Sequence, residues 1–212
     1  MADWIPKTTL GRKVLNGEIT NLDQVAEQNL KILEPEIIDI LIPDLSEEVV
    51  QVTSVQRMTA YGRKQRMRAV VIMGNHNGII GVGVGKAAET REAIEKAVKD
   101  AKMHLVKIPL GCGSWECGCG TPHSLPWAAS GASGSTHILI KPAPRGVGLV
   151  AGETSKKVLQ MAGIKDCWTF AKGRTRNILN SIFSTISALD SLNRVKKGVA
   201  VQQEESLRGD LA

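Results

Sequence analysis

Cys112, Cys117, Cys119 and His123 fall within twelve residues of a 212-residue chain, in the order C-x4-C-x-C-x3-H and in a glycine-rich stretch. Three thiolates and an imidazole are the donor set of a tetrahedral structural zinc site. All four places would be filled by protein, which leaves no open position for a catalytic water. The spacing is not that of paired C-x2-C knuckles, and the H-x-E and P-C-x-x-C pattern of base deaminases is absent. Reduced loop thiols, or a disulfide of the hyperthermophilic kind, are the alternatives that spacing leaves open. Cys167 stands alone beside Trp168 and reads as a buried thiol. His76, His104 and His137 are isolated from any nucleophile motif: the chain has no G-x-S-x-G elbow and no Walker loop.

The second kind of chemistry is charge. Arg57, Arg63, Lys64, Arg66 and Arg68 occupy twelve positions, and residues 56–68 contain no acid. Read as a loop between two strands, tipped by Tyr61 and Gly62, this group suits a phosphate backbone, with a solvated basic hairpin as the bland reading. Gly81, Gly83 and Gly85 lack the gap of a dinucleotide-binding loop; at period two they lie on one face of a strand, where a helix or an RNA backbone can approach closely, helix packing being the first reading and phosphate contact the second. Lys86 is expected near the start of the next helix, where free N–H groups favour an anion. Pro142 and Pro144 stiffen a turn in which Arg145 precedes Gly146 and Gly148. Lys156, Lys157, Lys172, Arg174 and Arg176 form a further basic group.

The elements that position these residues follow from periodicity. Residues 1–48 read as an acidic extension of short helices, with Leu22, Val25, Leu30 and Leu33 in one helical pattern before Pro35. Residues 49–108 alternate as three strands, the second over 67–73 and the third over 79–84. A helix follows, with Ile94, Ala97, Val98, Ala101 and Leu105 on its buried face. Residues 109–134 have loop composition, with six glycines and three of the four cysteines. Residues 135–192 read β-α-β-α: strands over 137–140 and 164–170, helices over 154–162 and from Ile178 to beyond Ile186. A polar, mobile tail over 193–212 completes the chain. The fold class is therefore α+β, a three-stranded domain with one helix followed by a second, β-α-β-α domain.

Composition narrows the function. Residues 1–48 hold 4 Lys/Arg against 10 Asp/Glu, whereas residues 49–212 hold 23 against 11. A basic body attracts polyanions through counterion release, and nucleic acid is the commonest of these. Aromatic residues are only 3%, so stacking of bases on sheet aromatics is not expected, and recognition of folded RNA through shape and phosphates is. No run of eighteen apolar residues exists and no secretory signal is legible, which points to a cytoplasmic protein without membrane contact. A zinc-containing RNA-processing enzyme and an RNA-binding adaptor with an acidic front are the rival classes.

Residues 62–89, GRKQRMRAVVIMGNHNGIIGVGVGKAAE, closely resemble the N-terminal motif of the small-subunit ribosomal protein S-five family. Residues 142–148 and the segment VLQMAGI at 158–164 resemble its second domain. Trp4, Ile5 and Pro6, the extension around Pro35 and the cysteine loop resemble archaeal members in particular. The resemblance implies a double-stranded-RNA-binding-like first domain, a β-α-β second domain with a left-handed crossover, and no enzymatic activity. It further implies small-subunit ribosomal RNA as ligand, ribosomal proteins S-four and S-eight as neighbours, messenger RNA close to Arg63, Lys64, Arg66 and Arg68, and a part in decoding accuracy. It does not carry metal binding, so zinc rests on the spacing alone.

Overall fold

The computed structural model describes residues 4–28 and 30–194. Three short helices, α1 (Thr9–Leu15), α2 (Leu22–Glu27) and α3 (Glu36–Leu41), lead into β1 (Ser46–Thr59), β2 (Gly62–Gly74), β3 (Ile79–Ala87), α4 (Thr90–Met103) and β4 (Leu105–Lys107). After a long loop come β5 (Ala129–Ser133), β6 (Thr136–Pro142), β7 (Leu149–Val150), α5 (Glu153–Met161), β8 (Cys167–Gly173) and α6 (Ile178–Ser191). The first sheet is antiparallel in the order β1-β2-β3-β4. The second runs β5-β6-β8-β7, with β7 parallel to β8 on either side of α5. This is the expected α+β arrangement of two units. Most of the tail (195–212) lies outside the described residues.

The three glycines of β3 explain why α4 packs where it does. A Cβ at Gly81, Gly83 or Gly85 would collide with backbone atoms of α4, at Ala101, Ala97 and Ala93 among others. Two residues of strand advance about 6.6 Å and four of helix about 6.0 Å, so glycines at every second position match alanines at every fourth. Ala69, Val71 and Met73 of β2 complete this layer. The opposite face of the same strands carries Val70, Ile72, Ile80 and Val82. These belong to one apolar cluster with Ile138, Ile140, Val158, Leu159, Ile182 and Leu189 of the second unit. The two sheets thus share a core, and the first sheet is buried on both faces along its inner half.

Several local expectations need correction. The basic segment is a strand ladder: β1 and β2 stay paired to the tip, from Thr53 with Arg68 to Thr59 with Gly62, because antiparallel pairing satisfies backbone groups that a loop would leave to water. Lys86 lies within β3 opposite Arg68 and not at a helix start, since α4 begins only at Thr90. Leu105 opens β4 and pairs with Gly81 in place of continuing α4. Leu33 is outside any helix and exposed, and α2 stops at Glu27. Residues 129–133, assigned to the loop, form β5, and Gly131 there allows α6 to approach, where a Cβ would meet Ser184 O and Ala188 N. β8 begins at Cys167, later than expected, because Asp166 and the residues before it serve the site described next.

Candidate nucleic-acid interface and metal centre

Directly opposed residues of an antiparallel pair point to the same face. Arg57 opposes Lys64, Val55 opposes Arg66, and Arg68 lies between Thr53 and Lys86. Arg57, Lys64, Arg66, Arg68 and Lys86 therefore stand on one face of the hairpin, and Arg57, Lys64, Arg66 and Lys86 line a shared groove. It is the outward continuation of the face that buries Val70 and Ile72. Arg63, at an odd position of β2 opposite Met58, points to the other side. Among the described residues no carboxylate pairs with any of these side chains; Arg68 Nε donates to Thr53 Oγ1 at 3.3 Å. The hairpin end is exposed, and Tyr61 at its tip is wholly solvated. The structure thus gathers five of the six basic residues singled out in this unit.

The second basic group is dispersed. Lys156 and Lys157 sit on α5, and Lys157 is tied to Glu48 at 3.1 Å. Lys172 is on the open face of β8, while Arg174 and Arg176 belong to the turn before α6. Arg145 is exposed at the tip of its turn, where Gly146 and Gly148 take φ of +95° and +74°. Such values favour glycine and explain its placement on both sides of Val147.

The cysteine loop closes on itself. The ligand atoms of Cys112, Cys117, Cys119 and His123 all lie within 4.8 Å of one another. Cys119 Sγ is 3.5 Å from Cys112 Sγ, and Cys117 Sγ is 3.7 Å from His123 Nε2. The edges of a tetrahedron with zinc–sulfur bonds of about 2.3 Å measure about 3.8 Å, so the donors are already near ligation distance. His123 Nδ1 donates to Asp166 Oδ2 at 2.8 Å, which turns Nε2 toward the sulfurs. Both side chains are nearly inaccessible to solvent. Gly113, packed against the backbone of Pro126 and Leu125, and the Gly111–Ser124 bridge hold the two ends of the loop together.

Electrostatics in the cluster follow from these contacts. Hydrogen bonds from Thr121 pull the Cys119 thiol down to about 6. The backbone N–H of Arg145, with further bonds, lowers Cys117, while the neighbouring Cys119 pushes Cys112 up to about 11. Burial opposes ionisation of Asp166, yet the N–H groups of Gly148 and Gly146 and the His123 ring outweigh it and lower the carboxyl. Burial likewise opposes protonation of His123, and Cys117 and Asp166 overcome it to raise the imidazole. Cys167 is the expected buried thiol, pushed up to about 12 by burial.

Sequence reasoning missed two features. Asp166 carries no motif, and only the fold brings it to His123 across 43 residues. Trp115, Trp127, Trp168 and Phe170 line one groove on the open side of the second sheet, with Lys141 Nζ 5.3 Å from the Phe170 ring centre. The alternation of Trp168 and Phe170 was a legible signal for an open face; the two loop tryptophans were not placeable.

Comparison with known families decides the relationship. The family described as "Ribosomal protein S5, N-terminal domain" matches residues 45–109, and "Ribosomal protein S5, C-terminal domain" matches residues 131–203. The chain belongs to the ribosomal protein S5 family. Among its relatives, "Small ribosomal subunit protein uS5" of Methanocaldococcus jannaschii is 56% identical over 191 residues, covering 90% of this chain and 88% of the relative. The protein of the same name from Methanoregula boonei is 52% identical over 197 residues, covering 93% and 96%. That of Hyperthermus butylicus is 52% identical over 188 residues, covering 88% of each. These S5 relatives are archaeal and are named as ribosomal proteins, not as enzymes. The described S5 residues contain no helix long and apolar enough to cross a membrane.

Proposed function

We propose that this chain is a structural constituent of the small ribosomal subunit in the cytoplasm, where it binds folded ribosomal RNA and steadies the region that governs decoding accuracy. The observation that carries the reading is the row of Arg57, Lys64, Arg66, Arg68 and Lys86 on one hairpin face, paired with no carboxylate among the described residues and anchored in a core buried on both sides. Cations that recur at every second residue of a rigid strand hold a phosphate backbone in one register without reading bases. Arg63, Arg145, Lys156, Lys157, Lys172, Arg174 and Arg176 extend the positive surface. Family membership supports placing the hairpin beside the messenger entry channel, with ribosomal proteins S-four and S-eight as neighbours.

The cysteine loop, in this reading, holds one structural zinc ion through Cys112, Cys117, Cys119 and His123. The donor set, the separations near tetrahedral edges and the Asp166 bond to His123 support the fit. Bound zinc would cross-link a segment that has little regular structure of its own.

The experiment is a titration of the full chain against in vitro transcribed small-subunit ribosomal RNA over a salt series, alongside sedimentation of cell lysate. A steep salt slope and co-migration with the small subunit are expected. Salt-insensitive binding, or a protein that stays free of the subunit, would overturn the reading.

A further inference from the structure

Asp166 lies just before β8 and is only 5% exposed. Its two carboxylate oxygens face two different parts of the molecule. Oδ2 accepts from His123 Nδ1 at 2.8 Å, while Oδ1 accepts the backbone N–H of Gly146 at 3.1 Å and of Gly148 at 2.8 Å. Its main-chain oxygen accepts from Ser124 Oγ, which in turn accepts from Ala143 N at 3.3 Å. The turn between Ala143 and Gly148 is therefore fastened at both ends to groups that belong to, or touch, the cysteine-histidine loop.

We infer that Asp166 is a positioning residue that couples metal ligation at His123 to the presentation of Arg145 to RNA. The inference rests on the zinc and RNA readings above and adds a link between them. A ligated imidazole has one ring orientation, so its Nδ1–H has one direction and the carboxylate that accepts it is fixed in turn. The other oxygen of a fixed carboxylate holds Gly146 and Gly148 in their left-handed conformation, which without that anchor is one choice among many for glycine. Arg145, between Pro144 and Gly146, then leaves a rigid support toward solvent. With the metal gone, the same turn keeps its glycines and loses its reference point, and the arginine becomes a mobile charge.

The test uses the full chain, in vitro transcribed small-subunit ribosomal RNA as probe, and the variants Asp166→Asn, Arg145→Gln and the double substitution. An amide offers one acceptor oxygen where the carboxylate offers two, so Asp166→Asn serves either His123 or the glycines and not both. Zinc affinity is expected to fall about 10- to 100-fold in Asp166→Asn. At saturating zinc, the salt slope of RNA binding should fall by about one, as in Arg145→Gln, and the double variant should bind no more weakly than Arg145→Gln. Stripping zinc from the unsubstituted chain with a chelator should reproduce that loss and leave Arg145→Gln unchanged. This arm holds even where the Asp166 variant does not fold. Additive losses in the double variant, or an unchanged slope in Asp166→Asn or after chelation, would overturn the coupling while leaving both underlying readings intact. A purified chain devoid of zinc by mass spectrometry would overturn the metal reading and the coupling together, and absence of RNA binding would overturn the RNA reading.

Discussion

His76 and Met161 join the two halves of the molecule: the backbone N–H of His76, in the turn between β2 and β3, donates to Met161 O at the end of α5, at 3.1 Å. Gly78 N donates to Ala162 O at 2.9 Å and the His76 ring to Gln160 O at 2.8 Å. The last carbonyls of a helix have no partner within it. Here a turn of the other unit supplies them, and His76 takes φ of +54° to do so.

Gly163 tests that junction. Its φ is +86° and a Cβ there would strike His76 O. Gly163→Ala is expected to cost about 1–3 kcal/mol and to lower Tm while thermal unfolding remains one transition, because the core is shared. Two separated transitions in calorimetry would show that the units are energetically independent.

Gly83→Ala should also destabilise by about 1–3 kcal/mol or more, since α4 cannot retreat from three glycines at once. Gly152→Ala is the control: nothing lies near its Cβ, and a change within about 0.5 kcal/mol is expected. Denaturant midpoints measure both, and equal effects would contradict the packing account.

Face matters on the hairpin. The pair Lys64→Gln and Arg66→Gln should reduce the salt slope of RNA binding by about two, whereas Arg63→Gln, on the other side, should reduce it by less than one. A loss at Arg63 equal to that at Arg66 would mean that RNA wraps both faces.

The Asp166–His123 pair gives the metal-stripped protein a pH signature. Asp166 is lowered from 3.8, so its contribution to stability is complete above that value and disappears as pH falls through the lower folded one. His123 is raised from 6.5, so its contribution is complete below 6.5 and fades as pH rises through the folded one. Stability of the stripped protein should peak between these limits, and Asp166→Asn should flatten both flanks. Bound zinc would hold the imidazole neutral, so the loaded protein should keep its stability on the alkaline side. A flat Tm profile for the stripped chain would refute the pairing.

The alternating glycines and valines of β3 and the β-branched run of β2 made the first sheet legible, because a strand pattern of this kind survives tertiary context. The helix face at Ala97 and Ala101 was legible from its four-residue spacing. The basic row was read as a loop because its residues alternate without an apolar partner: Lys64, Arg66 and Arg68 continue a strand past the point where the core ends, and burial patterns vanish there. β5 was hidden by Gly131 and its small neighbours, which serve close approach to α6. The cluster of Cys112, Cys117, Cys119 and His123 was legible from local spacing, but Asp166 was not, since hydrogen bonds between distant segments leave no periodic trace.

The shared core also sets a timetable for biogenesis. Val70, Ile72, Ile80 and Val82 leave the tunnel with their cover, α5 and α6, still unmade. Val158 follows Val70 by about 90 residues, which at ordinary elongation rates is roughly 5–20 s. For that interval the nascent chain exposes one apolar face of its first sheet, and the shared core forms only once the second unit has emerged.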